Sequence, residues 1–244
     1  MQLEKYQEQS SMLDPLIEQF VQPIMAFLQV YVRKAVAEQK YGVPAEVKNL
    51  FLLLTQMCKV RGYKTIVKFF PHEVSDLEQV AEMLHFQEET PWEIPYILVL
   101  WLSIIVLVPF DLTTIDSQKN QEILVQRIMN IGKQYAESPG KLRDGAAVLL
   151  AKLITRPDVV KSGEADRFLK EMAANYEAVM DDAKNKPFAA AGILQTLVEV
   201  FKTGHRDDLL SRVDIVFDPV LKTEQKSKFM KKSTILMKAR VNLA

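Results

Sequence analysis

Three histidines and one cysteine are the side chains of this sequence best suited to metal ligation or nucleophilic attack, and their spacing argues against both roles. His72-Glu73 begins like a zinc-protease motif, but Asp76 stands where the second imidazole would be needed. His85 and His205 are far away in sequence, so no metal-ligand spacing is present and no metal is expected. Cys58 falls on an apolar helical stripe with Leu54, where burial would raise its pKa and leave it a packing residue.

The charged residues carry more information. Lys59, Arg61, Lys64 and Lys68 lie immediately before an acidic stretch that holds Glu73, Asp76, Glu78, Glu82, Glu88, Glu89 and Glu93 and no Lys or Arg. Gly62 interrupts the basic run and separates two helical patterns, and a loop between stacked helices projects from an edge where partners dock. Arg61, Lys64 and His72 are therefore the candidate partner-binding residues, facing an acidic surface. The competing reading is architectural: Arg61 and Lys64 pair with Glu73 or Asp76 of the next helix and fix the turn. A second basic run, Lys222 to Arg240, is either a solvated helix face or another docking patch.

Bulk properties exclude several function classes. Lys plus Arg and Asp plus Glu number 31 each, so no overall field draws the chain to nucleic acid. The single cysteine and the lack of an N-terminal leader pattern fit the cytoplasm. Glycine-rich phosphate cradles, a nucleophile elbow and a zinc-binding helix motif are all absent from the sequence. The expectation is a protein that is no enzyme and uses no cofactor.

The elements that would position these residues are helices throughout. Apolar residues recur at three and four residue spacing: Val47, Leu50, Phe51, Leu54 and Cys58; Leu124, Ile128, Ile131 and Tyr135; Phe168, Met172, Tyr176 and Val179; Leu194, Leu197, Val198 and Phe201. Proline at the first helical turn and other start signals predict helices beginning near Pro15, Pro44, Ser75, Trp92, Lys119, Pro139, Glu164, Pro187, Arg206 and Glu224, with a short extra one around Tyr63 to Phe70. Alternate starts from Ser75 onward lie 44, 45 and 42 residues apart, a period typical of HEAT and armadillo arrays. Residues 1–244 thus read as a single all-α segment, a HEAT/armadillo-like α-solenoid of about five stacked antiparallel helix pairs. Lys141 to Leu153 follows the pattern of a second helix, with Ala146, Ala147, Leu150 and Leu153 facing inward. The stripe Phe229, Ser233, Leu236 and Arg240 lacks the polar outer face of a capping repeat, so the chain reads as part of a longer array.

The most apolar run, Ile97 to Val108, is too short for a bilayer span, which needs ~20 residues, and is expected to be a helix buried on all sides.

Three stretches then resemble the tubulin-folding cofactor D family: Lys59 to Val74 (KVRGYKTIVKFFPHEV), Trp92 to Asp111 (WEIPYILVLWLSIIVLVPFD) and Ile154 to Val159 (ITRPDV). Lys5 to Gln9 (KYQEQ) and Phe201 to Asp208 (FKTGHRDD) support the match, in the family's order. The resemblance implies a HEAT-like solenoid that binds β-tubulin. It further implies work with tubulin cofactors E and C and an Arf-like small GTPase in assembling or dismantling the αβ-tubulin dimer, with stimulation of GTP hydrolysis. It implies a cytoplasmic, microtubule-associated protein without a membrane span. The alternative is a scaffold or transport adaptor of the same architecture, because a fold does not fix a function.

Overall fold

A computed structural model describes residues 5–87, 89–112, 124–181 and 187–226, and among these every regular element is helical. The described residues fall into two compact units, residues up to Phe110 and residues from Asp111 onward.

In the first unit a 3-10 turn, Ser10–Leu13, leads into α1 (Asp14–Ala37), followed by α2 (Ala45–Arg61), the one-turn α3 (Tyr63–Ile66), α4 (Asp76–His85) and α5 (Glu93–Ile105). Pro15 sits in the first turn of α1, where a missing amide donor costs nothing. Gly62 ends α2 with a φ of 91°, a left-handed conformation that glycine adopts without strain, and α3 starts on the next residue. α3 tightens into a 3-10 turn over Val67–Phe69, and Pro71 prevents further helix.

The first unit has two layers, with α1 packed on α4, α2 packed on α5, and α4 joined to α5 between them. Ile17, Val21, Met25, Leu28, Val32 and Ala35 turn the inner face of α1 into this core. Of the run from Ile97 to Val108 expected to be enclosed, all is buried except half-buried Ile104 and Leu107, which is 53% exposed just past the end of α5, and Trp101 is among the largest enclosed side chains. No described helix is long and apolar enough to cross a membrane.

The second unit contains α6 (Leu124–Ala136), α7 (Lys141–Ile154), the short α8 (Pro157–Lys161), α9 (Glu164–Asp181), α10 (Pro187–Thr203), α11 (Arg206–Leu210) and α12 (Val213–Lys226). α7 packs on α6 and α10, while α9 packs on α10 and α12. Ala146, Ala147, Leu150 and Leu153 of α7 are all buried, as the pattern of a second helix predicts. Gly192 lets α10 press on the last turn of α6, because a Cβ there would overlap the carbonyl oxygen of Ala136.

The helix starts follow the predicted signals closely where proline or a cap marks them, but the end of the second unit differs. Glu224 lies inside α12, so no helix begins there. The break falls instead at Ser211 and Arg212, where both side chains donate to the Asp208 carbonyl and end α11 after five residues. The start near Lys119, and the stripe from Phe229 to Arg240, lie outside the described residues.

Candidate surface for partner binding

The candidate residues lie on the segment that links α2 to α4. Arg61, at the end of α2, reaches back to the start of α1 and donates from Nε and Nη2 to the two carboxylate oxygens of Asp14, at 2.5 and 2.8 Å. The hydrogen bond from Arg61 holds the Asp14 carboxyl below its ordinary pKa, and the same bond raises that of Arg61. Arg61 is thus engaged within the fold, with Asp14 as its partner in place of Glu73 or Asp76.

Those two acids belong to Arg33 of α1. Its Nε donates to Asp76 Oδ1 and its Nη2 to Glu73 Oε2, both at 2.6 Å, while Gln29 Nε2 donates to Asp76 Oδ2 at 2.7 Å. The Asp76 side chain is only 1% exposed, so this cage supplies the charge compensation that a buried carboxylate requires. Hydrogen bonding from Arg33 keeps Glu73 below the ordinary carboxylate range. Sequence reading missed Arg33. The signal that could have found it is the repeat period, since Arg33 and Asp76 are 43 residues apart.

The linking segment is also held from the core side. Trp101 Nε1 donates to the Pro71 carbonyl at 2.7 Å, and Lys59 Nζ lies 5.9 Å from the Trp92 ring centre, within the range of a cation–π contact. Two of the stretches that carry the family resemblance are therefore joined to each other in space, through Pro71 to Trp101 and Lys59 to Trp92.

Between these anchors, Lys64 on α3, Lys68 on the following 3-10 turn and His72 beyond Pro71 are exposed. Neither Lys64 nor Lys68 has an ion pair among the described residues. Lys68 and His72 line one side of an open cleft of about 380 Å³ whose other wall is Gln22, Met25 and Gln29 of α1. The structure brings His72 and Lys68 to one cleft and directs Arg61 to the foot of α1. Cys58 is buried, its thiol pushed up to about 12 by desolvation, and it takes no part in this surface.

The third resemblance stretch is architectural. Arg156 donates from Nε and Nη2 to the two oxygens of Asp158, both at 2.9 Å, and Asp158 Oδ2 accepts the Leu112 amide at 3.1 Å. Burial alone would raise the Asp158 pKa, but these hydrogen bonds outweigh it and hold the carboxyl below its ordinary value. Pro157 starts α8 at this point, so the stretch acts as a helix start tied to a distant strand of chain. Of the second basic run, Lys222 is exposed on α12 and the residues past Lys226 lie outside the described ones.

Two curated relatives share most of this chain. Tubulin-folding cofactor D of Schizosaccharomyces pombe is 26% identical over 211 residues, covering 86% of this chain and 17% of its own length. Tubulin-specific chaperone D of Dictyostelium discoideum is 23% identical, covering 85% of this chain and 21% of its own length. The chain thus spans less than a quarter of either relative. No solved structure matches it. The family described as tubulin-specific chaperone D-like, ARM repeat, matches residues 3–176, well over half of the sequence. With its helices layered as such repeats are, the chain belongs to the tubulin-specific chaperone D-like ARM-repeat family.

Proposed function

We propose that this chain is the protein-holding part of a tubulin chaperone, which captures β-tubulin and takes part in assembling and dismantling the αβ-tubulin dimer. The names of the relatives support tubulin as the client class. In this reading tubulin cofactors E and C and an Arf-like small GTPase are the helpers, and the assembly stimulates GTP hydrolysis by tubulin in the cytoplasm, on or near microtubules. The chain contributes binding and no catalytic group.

The observation that supports the contact surface is the contrast within one segment. Arg61 is held by Asp14 and fixes where α2 ends, while Lys64, Lys68 and His72 stand exposed between two anchored points. Exposed donor side chains on a rigid segment cost little ordering entropy when an acidic partner docks. Lys64 and His72 meet the acidic surface of β-tubulin or of the GTPase, and Arg61 serves them by positioning the segment.

Capture of purified β-tubulin on immobilised chain tests this. Lys64→Glu combined with His72→Glu weakens capture by about tenfold or more with the melting curve unchanged, the effect expected of rim charges. Equal retention of β-tubulin and of the GTPase by the variant and the parent chain would overturn the docking role.

A further inference from the structure

Helix α1 carries more apolar surface than its fold covers. Its inner face is enclosed by the first unit, yet Leu16, Phe20, Phe27 and Val30 follow at intervals of four, seven and three residues on another face, and are 43%, 54%, 52% and 66% exposed. Met12, in the 3-10 turn that leads into the helix, extends the stripe and is 60% exposed. Half-buried Ile24 and Tyr31 lie between the two faces, so the exposed stripe is continuous with the enclosed inner face. The polar residues Glu18, Gln22, Gln29 and Arg33 keep to the remaining side. A helix apolar over so much of its circumference is one that neighbours enclose.

We propose that this outer face of α1 is a repeat-to-repeat seam, shaped to receive another helical pair of the same kind.

Position is the first reason: Gln29 and Arg33 reach Asp76 of α4 from one side of α1, the stripe lies across the helix from them, and a first-layer helix inside an array has a neighbour on both sides. Size is the second. From Leu16 to Val30 the stripe is about 21 Å long and one helix wide, far below the ~800 Å² per partner of a specific dimer but right for the seam between stacked helices. The third is length: the chain matches 17% and 21% of its two relatives, so most of each lies outside the matched stretch and can supply such a pair.

Thiol labelling tests the seam. Phe27→Cys is introduced into this chain alone and into a chimera in which the chain replaces the matched stretch of the Schizosaccharomyces pombe relative. Labelling by a maleimide is read by mass spectrometry of the α1 peptide. Cys58, buried and a poor nucleophile, stays unlabelled in a folded chain and reports folding in the same spectrum. The new thiol is expected to react on the order of tenfold more slowly in the chimera, because it reacts only when the seam opens. Equal rates with Cys58 protected would overturn the seam. So would protection in the isolated chain that grows with its concentration, which would assign the face to a second copy.

Discussion

At the scale of single residues, the charged side chains divide into those the fold has spent and those it has left free. Asp14 belongs to the first group. Its carboxyl titrates below the unfolded value because Arg61 donates to it, so its stabilising effect is complete above the ordinary carboxylate range and disappears as pH falls through the folded pKa. Asp14→Asn is therefore expected to flatten the acid side of a Tm against pH curve, with little change in its slope above about pH 5. Asp76 is the more demanding case. Arg33→Leu leaves a buried carboxylate with Gln29 as its remaining side-chain donor and is expected to cost about 2–4 kcal/mol in urea unfolding; Arg33, 40% exposed, makes the pair weaker than a fully enclosed one. Adding Asp76→Leu restores most of that loss, because no charge is then left buried. The sequence made Arg61, Lys64 and His72 visible through charge and proximity to a glycine break. It left Arg33 hidden, since the partner of a cation depends on which helix stacks beside it, and local spacing is silent on that.

At the scale of elements, apolar spacing was enough to find the principal helices, their buried stripes and the enclosed character of α5. Leu102→Ala is expected to cost ~2–5 kcal/mol, since α5 is surrounded and the space left cannot collapse fully. Gly192→Ala tests a different constraint. The added methyl meets the Ala136 backbone, which cannot move aside as a side chain would, so a loss of ~1–3 kcal/mol is expected from adding one carbon. What the periodicity did not reveal were α8 and the interruption between α11 and α12. Neither depends on apolar spacing: α8 starts on Pro157, and the break follows Ser211 and Arg212, which donate to the Asp208 carbonyl, so an apolar stripe runs past both without registering them.

At the scale of the whole molecule, the polar joints between helices share one length. Arg33 to Asp76, Arg61 to Asp14, Tyr41 to Glu82, Lys133 to Glu171 and Arg212 to Asp166 span 43, 47, 41, 38 and 46 residues. Arg33 to Asp76 and Lys133 to Glu171 tie a helix to its counterpart one repeat later, which is how a stacked array distributes its stability, whereas Arg61 to Asp14 closes the end of α2 on the start of α1. Leu102→Ala should then accelerate amide exchange in the first unit more than in α9, α10 and α12, a gradient that a single cooperative core would not show. The same joint length bears on synthesis. A chain emerging from the ribosome at ~5–20 residues per second delivers the second half of any such joint within about 2–10 s of the first. Each repeat can dock on its predecessor while later ones are still being translated, so no joint named above waits for the end of the chain to be made.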